Sequence, residues 1–338
     1  MPAFPCFSAI VEWENARQAG AERATRTLRE LVSQTAELAG EIDGRPELIV
    51  LYEKNEVPHE VVEAAVRKAC GSDAPFDVRF HATEGSNYYD QKNQGAHLAS
   101  REYLLFLDSD VIPEEGWLRA LLGSLRPGVE VVAGSTYVET TSFFGRAFGL
   151  FWFFPLRTPS NGLQQANFFY ANNVIFKRAL FLAYKYPDLP LYRGHCAFLG
   201  TRLRHNGIRL FLQRGARVRH PPPTPKHFVH RALSEGYDFV ARARIAGRES
   251  AVTDAELRIQ IANVRKRVNK RLEHIKVGRA EAAMALALGT TYCLLRFAGQ
   301  RWALRSPESA QRALGIPSGV LPAPMGKKEL GRETVDVR

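Results

Sequence analysis

Residues 103–110 read YLLFLDSD, an apolar run of five residues followed at once by two carboxylates one residue apart. A buried strand does not end on two charges without a partner for them. Asp108 and Asp110 alternate past the strand end, so the strand fixes their backbone while the turn lets both side chains reach one hard cation. Mg²⁺ or Mn²⁺ held in this way can bridge a diphosphate and neutralise a departing phosphate. The competing reading is a helix N-terminus: Asp110, with Pro113, Glu114 and Glu115 after it, suits the start of a helix over 114–125.

The surrounding pattern decides where such a pair would sit. Ser8–Trp13, Glu47–Tyr52, Phe76–Phe80 and Tyr103–Leu107 read as strands. Between them, Ala16–Leu38, Pro58–Cys70 and Tyr89–Ala99 have helical periodicity. Strands separated by helices of ten or more residues predict βαβ crossovers and a mostly parallel sheet flanked by helices. Ligands of such sheets bind beyond the carboxyl ends of the strands. Asp108 and Asp110 lie at one such end, Glu12 and Glu14 at that of the first strand, and Glu53 at that of the second.

Past residue 125 a strand is expected at Val129–Gly134, an aromatic-rich segment at Phe143–Phe154 and a strand at Asn167–Phe176. Cys196–His205 reads as a short helix, followed by two short strands at 208–212 and 216–220 that stop at three prolines. Helical patterns then cover 226–246, 252–276 and 280–299, and the tail from Ser306, rich in proline and glycine, is expected to be irregular. These changes divide the chain into 1–225, a basic helical region 226–305 and a tail 306–338.

Composition narrows the class. The 338 residues are 45% hydrophobic and 24% charged, a balance that supports a packed core. Cys6, Cys70, Cys196 and Cys293 lie far apart with no paired spacing, which argues for a reducing compartment and against structural zinc. The first residues lack a basic stretch followed by an apolar run, so no signal peptide is expected. The net charge is +11, and residues 226–305 carry 16 Lys and Arg against 7 Asp and Glu. A nucleic-acid binder would bring a recognisable aromatic or zinc signature to those helices, and none is present. The alternatives for that stretch are a solvated basic face and an anionic membrane surface. Residues 282–299 form an apolar run between Arg279 and Arg301, suited to lying on the inner face of a cell membrane or packing in a core.

Three stretches carry a family resemblance: YYDQKNQGAHLASREYLLFLDSD, YANNVIFKRALF and GTRLRHNGIRLFLQRGARVRH. Together with the element order they resemble the family 2 glycosyltransferases of the GT-A (nucleotide-diphospho-sugar transferase-like) fold, over about residues 6–225. The resemblance implies a mixed, mostly parallel sheet flanked by helices, here with a C-terminal helical extension. It implies a UDP- or GDP-sugar donor, a divalent cation (Mn²⁺ or Mg²⁺) and a glycan or lipid-linked acceptor hydroxyl. Under it, Asp108 and Asp110 hold the cation and nucleotide-sugar, and Lys92 and Asn93 belong to the nucleotide pocket. Asn172 and Asn173 line the sugar and acceptor cleft, and His220 joins the metal or diphosphate. Glu12, Glu14 and Glu53 touch nucleobase and ribose, with Glu53 standing where the family has Asp.

One departure is plain. Where the family carries an acidic pair that includes the general base of inverting transfer, this chain has His195-Cys196. His195 is then the expected base, with Asp188 as base or as orienting group. The remaining alternatives are a non-catalytic sugar-binding protein, which the missing acids invite, and a nucleotidyltransferase, which would bring a Gly-rich phosphate loop that residues 8–20 lack.

Overall fold

The computed structural model describes residues 3–71, 73–248 and 252–317. By packing they divide into two units, neither a single stretch of sequence: the described residues within Met1–Tyr137, Arg157–Pro187 and Cys196–Pro221 form the first, and those within Val138–Leu156, Asp188–His195 and Pro222–Arg338 the second.

The first unit is built on a mixed sheet. Strands β1 (Phe7–Glu12), β2 (Glu47–Glu53) and β4 (Tyr103–Asp108) are near-continuous apolar runs buried on both faces, as central parallel strands require. With the half-exposed β3 (Asp77–Thr83) they run parallel in the order β3-β2-β1-β4. The sheet continues through β8 (Asn173–Lys177), antiparallel to β4, then β6 (Val131–Val138) and β9 (Leu210–His220). Two short strands, β5 (Ile112–Pro113) and β7 (Leu163–Ala166), both pair antiparallel with β9.

The helices of this unit are α1 (Glu14–Ala19), α2 (Ala21–Glu37), α3 (His59–Cys70), α4 (Tyr88–Leu98), α5 (Trp117–Leu122), α7 (Arg178–Tyr184) and α8 (His195–His205), whose first residue falls in the second unit. A single helix over 16–38 was the expectation. Gly20, at φ +92°, breaks it into α1 and α2. The helix expected from 114 begins only at Trp117, because residues 112–113 pair with β9 and the Glu114 amide donates to the Arg217 carbonyl at 2.9 Å. The two strands expected at 208–220 are one strand, held by β7 along one half and β5 along the other.

The second unit is helical: α6 (Phe143–Phe151), α9 (Pro225–Ile245), α10 (Asp254–Leu272), α11 (Arg279–Arg305) and α12 (Pro307–Ala313). Helix α12 lies where an irregular tail was expected; residues 318–338 of that tail fall outside the described residues. The last carbonyls of α6 and the turn after it are satisfied by α10. Arg271 donates to Gly149, Trp152 and Phe154 oxygens at 2.8–2.9 Å, and Arg267 to Phe151 at 2.9 Å.

Candidate active site

The carboxyl ends of β1 and β4 lie side by side, with Glu12 in register with Asp108. Both side chains are buried, Glu12 at 0% and Asp108 at 5% exposure, and Lys92 beside them is fully enclosed. Two adjacent carboxylates in such a place need a cation and donors. The Lys92 Nζ lies 2.8 Å from Asp108 Oδ1 and 4.6 Å from the centre of the Tyr88 ring. The Tyr88 hydroxyl donates to the Asp108 oxygens at 2.7 and 2.9 Å. The Asn15 amide bridges the pair, donating to Glu12 Oε1 at 2.9 Å and Asp108 Oδ2 at 3.0 Å. Burial pushes the Glu12 carboxyl well above the usual range, the Asp108 charge adding to that and Lys92 opposing it.

Asp108 therefore spends both oxygens inside the protein. Lys92 is likewise paired with Asp108 and enclosed.

Asp110 is arranged differently. Its Oδ2 lies 3.3 Å from His220 Nε2, while its Oδ1 is buried with no hydrogen-bond partner. Burial raises its pKa first of all, against the opposing His220 and Arg23 charges. The turn is held from α2: Arg23 Nε donates to the Asp110 carbonyl, Arg23 Nη2 to the Arg219 carbonyl at 3.1 Å, and the Thr27 hydroxyl to the Ser109 carbonyl at 3.1 Å. Arg23 thus ties the acidic turn to the end of β9, where His220 sits.

Among the described residues no group of three or more His, Cys, Asp or Glu is placed to hold a metal ion. Asp110 and His220 nevertheless fit a hard divalent cation that would take its remaining ligands from phosphate and water, since a buried carboxyl Oδ1 without a partner is what such an ion would satisfy. When bound there, the cation would supply charge neutralisation to a leaving diphosphate.

The other expected residues scatter. Glu53, at the end of β2, is nearly buried and accepts from the Thr83 hydroxyl at 3.3 Å and the Ser86 amide at 3.2 Å. Glu14 opens α1 and is half-buried. Asn93 turns from the strand ends: its amide exchanges hydrogen bonds with the Tyr186 backbone at 2.9 and 3.1 Å. Asn173 is fully enclosed, accepting from Trp117 Nε1 at 2.9 Å and donating to the Ala216 carbonyl at 3.1 Å, and Asn172 accepts from the Thr136 hydroxyl at 3.0 Å. The Asn173 amide is thus held between α5 and β9, and the Asn172 oxygen by β6.

His195 opens α8 but is only 2% exposed, its Nε2 3.2 Å from the Leu189 carbonyl. Burial pushes the imidazole down to about 3, with the neighbouring Arg193 charge lowering it further and the Leu189 contact opposing. It is neutral near pH 7, as a base must be, but its basicity is low and the ring is enclosed. Asp188 is exposed on the preceding loop.

The sequence reading missed Asn15, Tyr88 and Arg23. Tyr88 was legible in principle, standing one helical turn before Lys92. Arg23, 87 residues from Asp110 in its partner turn, carried no sequence signal.

Comparison with known proteins gives these residues a frame. Residues 59–185, which span β2's following helix to the end of α7, match the family model described as glycosyl transferase family 2. No curated protein sequence matches the chain. Among solved structures, the mannosyltransferase PcManGT from Pyrobaculum calidifontis, in complex with GDP-Man and Mn²⁺, superposes with a TM-score of 0.55 at 16% identity, covering 89% of this chain and 88% of that one. GalNAc-T7 with UDP, GalNAc and Mn²⁺ gives 0.49 at 13% identity over 65% of this chain, which spans 44% of that protein. The chain therefore has the GT-A fold, and within it residues 59–185 match the glycosyl transferase family 2 model.

Proposed function

We propose that the chain transfers a sugar from a UDP- or GDP-sugar to an acceptor, with inversion and with a divalent cation at Asp110 and His220. The observation that carries this reading is the Asp108–Asp110 turn at the carboxyl end of β4, where one carboxylate is locked by Lys92, Tyr88 and Asn15 and the other keeps a buried oxygen unpartnered. The division of labour is physical. Asp108, neutralised and rigid, shapes the pocket towards the ribose, while Asp110 meets the metal. Glu12, Glu14 and Glu53 ring the adjoining strand ends, where a nucleoside would sit. The resemblance to a family of nucleotide-sugar enzymes supports the same reading, as does the Mn²⁺ in the PcManGT structure.

Helix α11 favours a membrane-facing role on the cytoplasmic side. It is long and apolar enough to cross a membrane, yet only 22% of its most apolar 18-residue window is buried. Ala283, Ala287, Leu294 and Ala298 form an exposed, uncharged stripe ending at Arg301 and Arg305. A helix lying in the headgroup layer of an anionic leaflet suits that face, and a lipid-linked or membrane-bound glycan acceptor would follow.

One observation favours a second reading, a protein that binds nucleotide-sugars without turning them over: His195 is enclosed and weakly basic. Incubating the protein with a panel of UDP- and GDP-sugars plus Mn²⁺ separates the two. Thermal stabilisation by one donor, together with release of its free nucleotide diphosphate, is the expected outcome. Stabilisation without release would leave the binding protein, and no stabilisation by any donor would overturn both.

A further inference from the structure

Helix α2 buries Ala24, Leu28 and Leu31 in the core of the first unit, as an amphipathic helix on a sheet must. Five polar residues lie among or beside them. Thr25 and Thr35 are buried and donate to carbonyls of their own helix at 2.9 and 2.7 Å. Arg23, Thr27 and Gln34, spaced by four and seven residues and so sharing one side of the helix, reach out of it instead. The Thr27 hydroxyl, fully buried, donates to the Ser109 carbonyl at 3.1 Å. The Gln34 amide, also buried, donates to the Glu114 carbonyl at 2.9 Å and accepts from the Leu118 amide at 3.0 Å. One polar side of α2 thus follows the chain from the acidic turn to the start of α5.

Arg23 does something the other two do not. The arms of its single guanidinium end on carbonyls 87 and 196 residues away, Nε on that of Asp110 and Nη2 on that of Arg219 at 3.1 Å. The first belongs to the turn after β4 and the second to the end of β9. A guanidinium is planar and rigid, so two carbonyls held on one fork are held at a fixed spacing. The side chains presented there are Asp110 and His220, with Oδ2 and Nε2 3.3 Å apart. His220 Nδ1 lies 2.7 Å from the Pro221 carbonyl, a contact that suits an N–H and leaves Nε2 as the ring nitrogen offered to a metal. The other carboxylate of the turn is held from the same stretch of chain. Asn15 on α1 donates to Asp108, and Gly20, at φ +92°, turns the chain between the two supports.

Resting on the reading of Asp110 and His220 as protein ligands of the cation, we propose that Arg23 is the positioning residue of that site. Its fork joins the two strand ends and so presents both ligands to one ion. Partners that orient metal ligands in this way typically cost about 10–100-fold in metal affinity when lost. The role belongs to the geometry of the fork rather than to its charge, since both acceptors are neutral carbonyls.

Calorimetric titration of GDP and UDP into the full chain, in Mn²⁺ and in EDTA, tests this with wild type, Arg23→Gln, Arg23→Lys and Arg26→Gln. Arg26 is exposed on the same helix, so its variant repeats the loss of charge without the contact. Wild type and Arg26→Gln should bind one nucleotide at least about 10-fold tighter in Mn²⁺ than in EDTA. Arg23→Gln should lose about 10-fold or more of that advantage, while its affinity in EDTA stays within about 2-fold of wild type. Arg23→Lys keeps the charge and loses the fork, so it should lose the advantage as well, and it decides the question if the glutamine variant fails to fold. A lysine variant with the wild-type Mn²⁺ advantage overturns the proposal, because charge alone would then suffice. Affinity that falls equally in Mn²⁺ and in EDTA also overturns it, as the mark of a generally loosened fold. If wild type itself binds no better in Mn²⁺, the metal reading of Asp110 and His220 fails and the role of Arg23 with it.

Discussion

At the scale of single residues, the chain encloses its polar side chains in two kinds of site. His195 is enclosed and uncharged, with its imidazole pushed down to about 3. An unfolded histidine titrates near 6.5, so between those values the unfolded chain binds a proton that the folded chain refuses. The stability this group confers is complete above pH 6.5 and is lost as pH falls towards 3. By pH 5 the loss should reach about 2 kcal/mol, since each pKa unit is worth about 1.4. Urea unfolding of wild type and His195→Gln at pH 7 and pH 5 checks this: the variant should lose less on acidification, and parallel losses would contradict the burial argument. Asn173 belongs to the other kind. Its amide ties Trp117 to the sheet, so Asn173→Leu should strand a buried indole N–H and destabilise the fold by about 1–3 kcal/mol. A melting temperature unchanged from wild type would count against that role. In the sequence, an amide within an apolar strand signalled only that a partner was needed. A partner 56 residues away and one across the sheet are set by strand order, which no local pattern carries.

Among elements, what was legible followed burial. β1, β2 and β4 were readable because central parallel strands are apolar on both faces, and the acidic pair at the end of β4 fell where such strands end. β5, β7 and α7 were not, being short elements whose pairing partners are distant in sequence. The late helices were visible by periodicity, but the contact that joins two of them was not. α9 and α11 meet backbone to backbone at Gly236 and Gly299. A Cβ on Gly236 would stand 2.1 Å from the Arg296 carbonyl, and one on Gly299 2.2 Å from that of Leu233. Gly236→Ala should therefore cost about 1–3 kcal/mol or more despite alanine's better helix propensity, since the obstructing atoms are backbone. Gly40→Ala, which meets nothing, is the control. Equal denaturant midpoints for the two variants would show that the helices can part cheaply.

For the whole molecule, charge and apolar surface fall in the same C-terminal third. The basic excess of 226–305 accompanies an exposed stripe on α11 and exposed Ile259 and Leu272 on α10. Co-sedimentation with vesicles containing anionic lipid should capture the protein, neutral vesicles should capture much less, and added salt should weaken the binding. Full solubility with no lipid dependence would leave α11 as an ordinary packed helix. The central claim concerns the other end of the chain's chemistry, and calorimetric titration of GDP and UDP reaches it most directly, using wild type and Asp110→Asn, each in Mn²⁺ and in EDTA. One nucleotide should bind wild type at least about 10-fold tighter with Mn²⁺ than with EDTA, as a metal bridging protein and diphosphate requires. That advantage should vanish in Asp110→Asn, whose shape is kept and whose charge is gone. The same affinity in all four conditions would contradict the assignment.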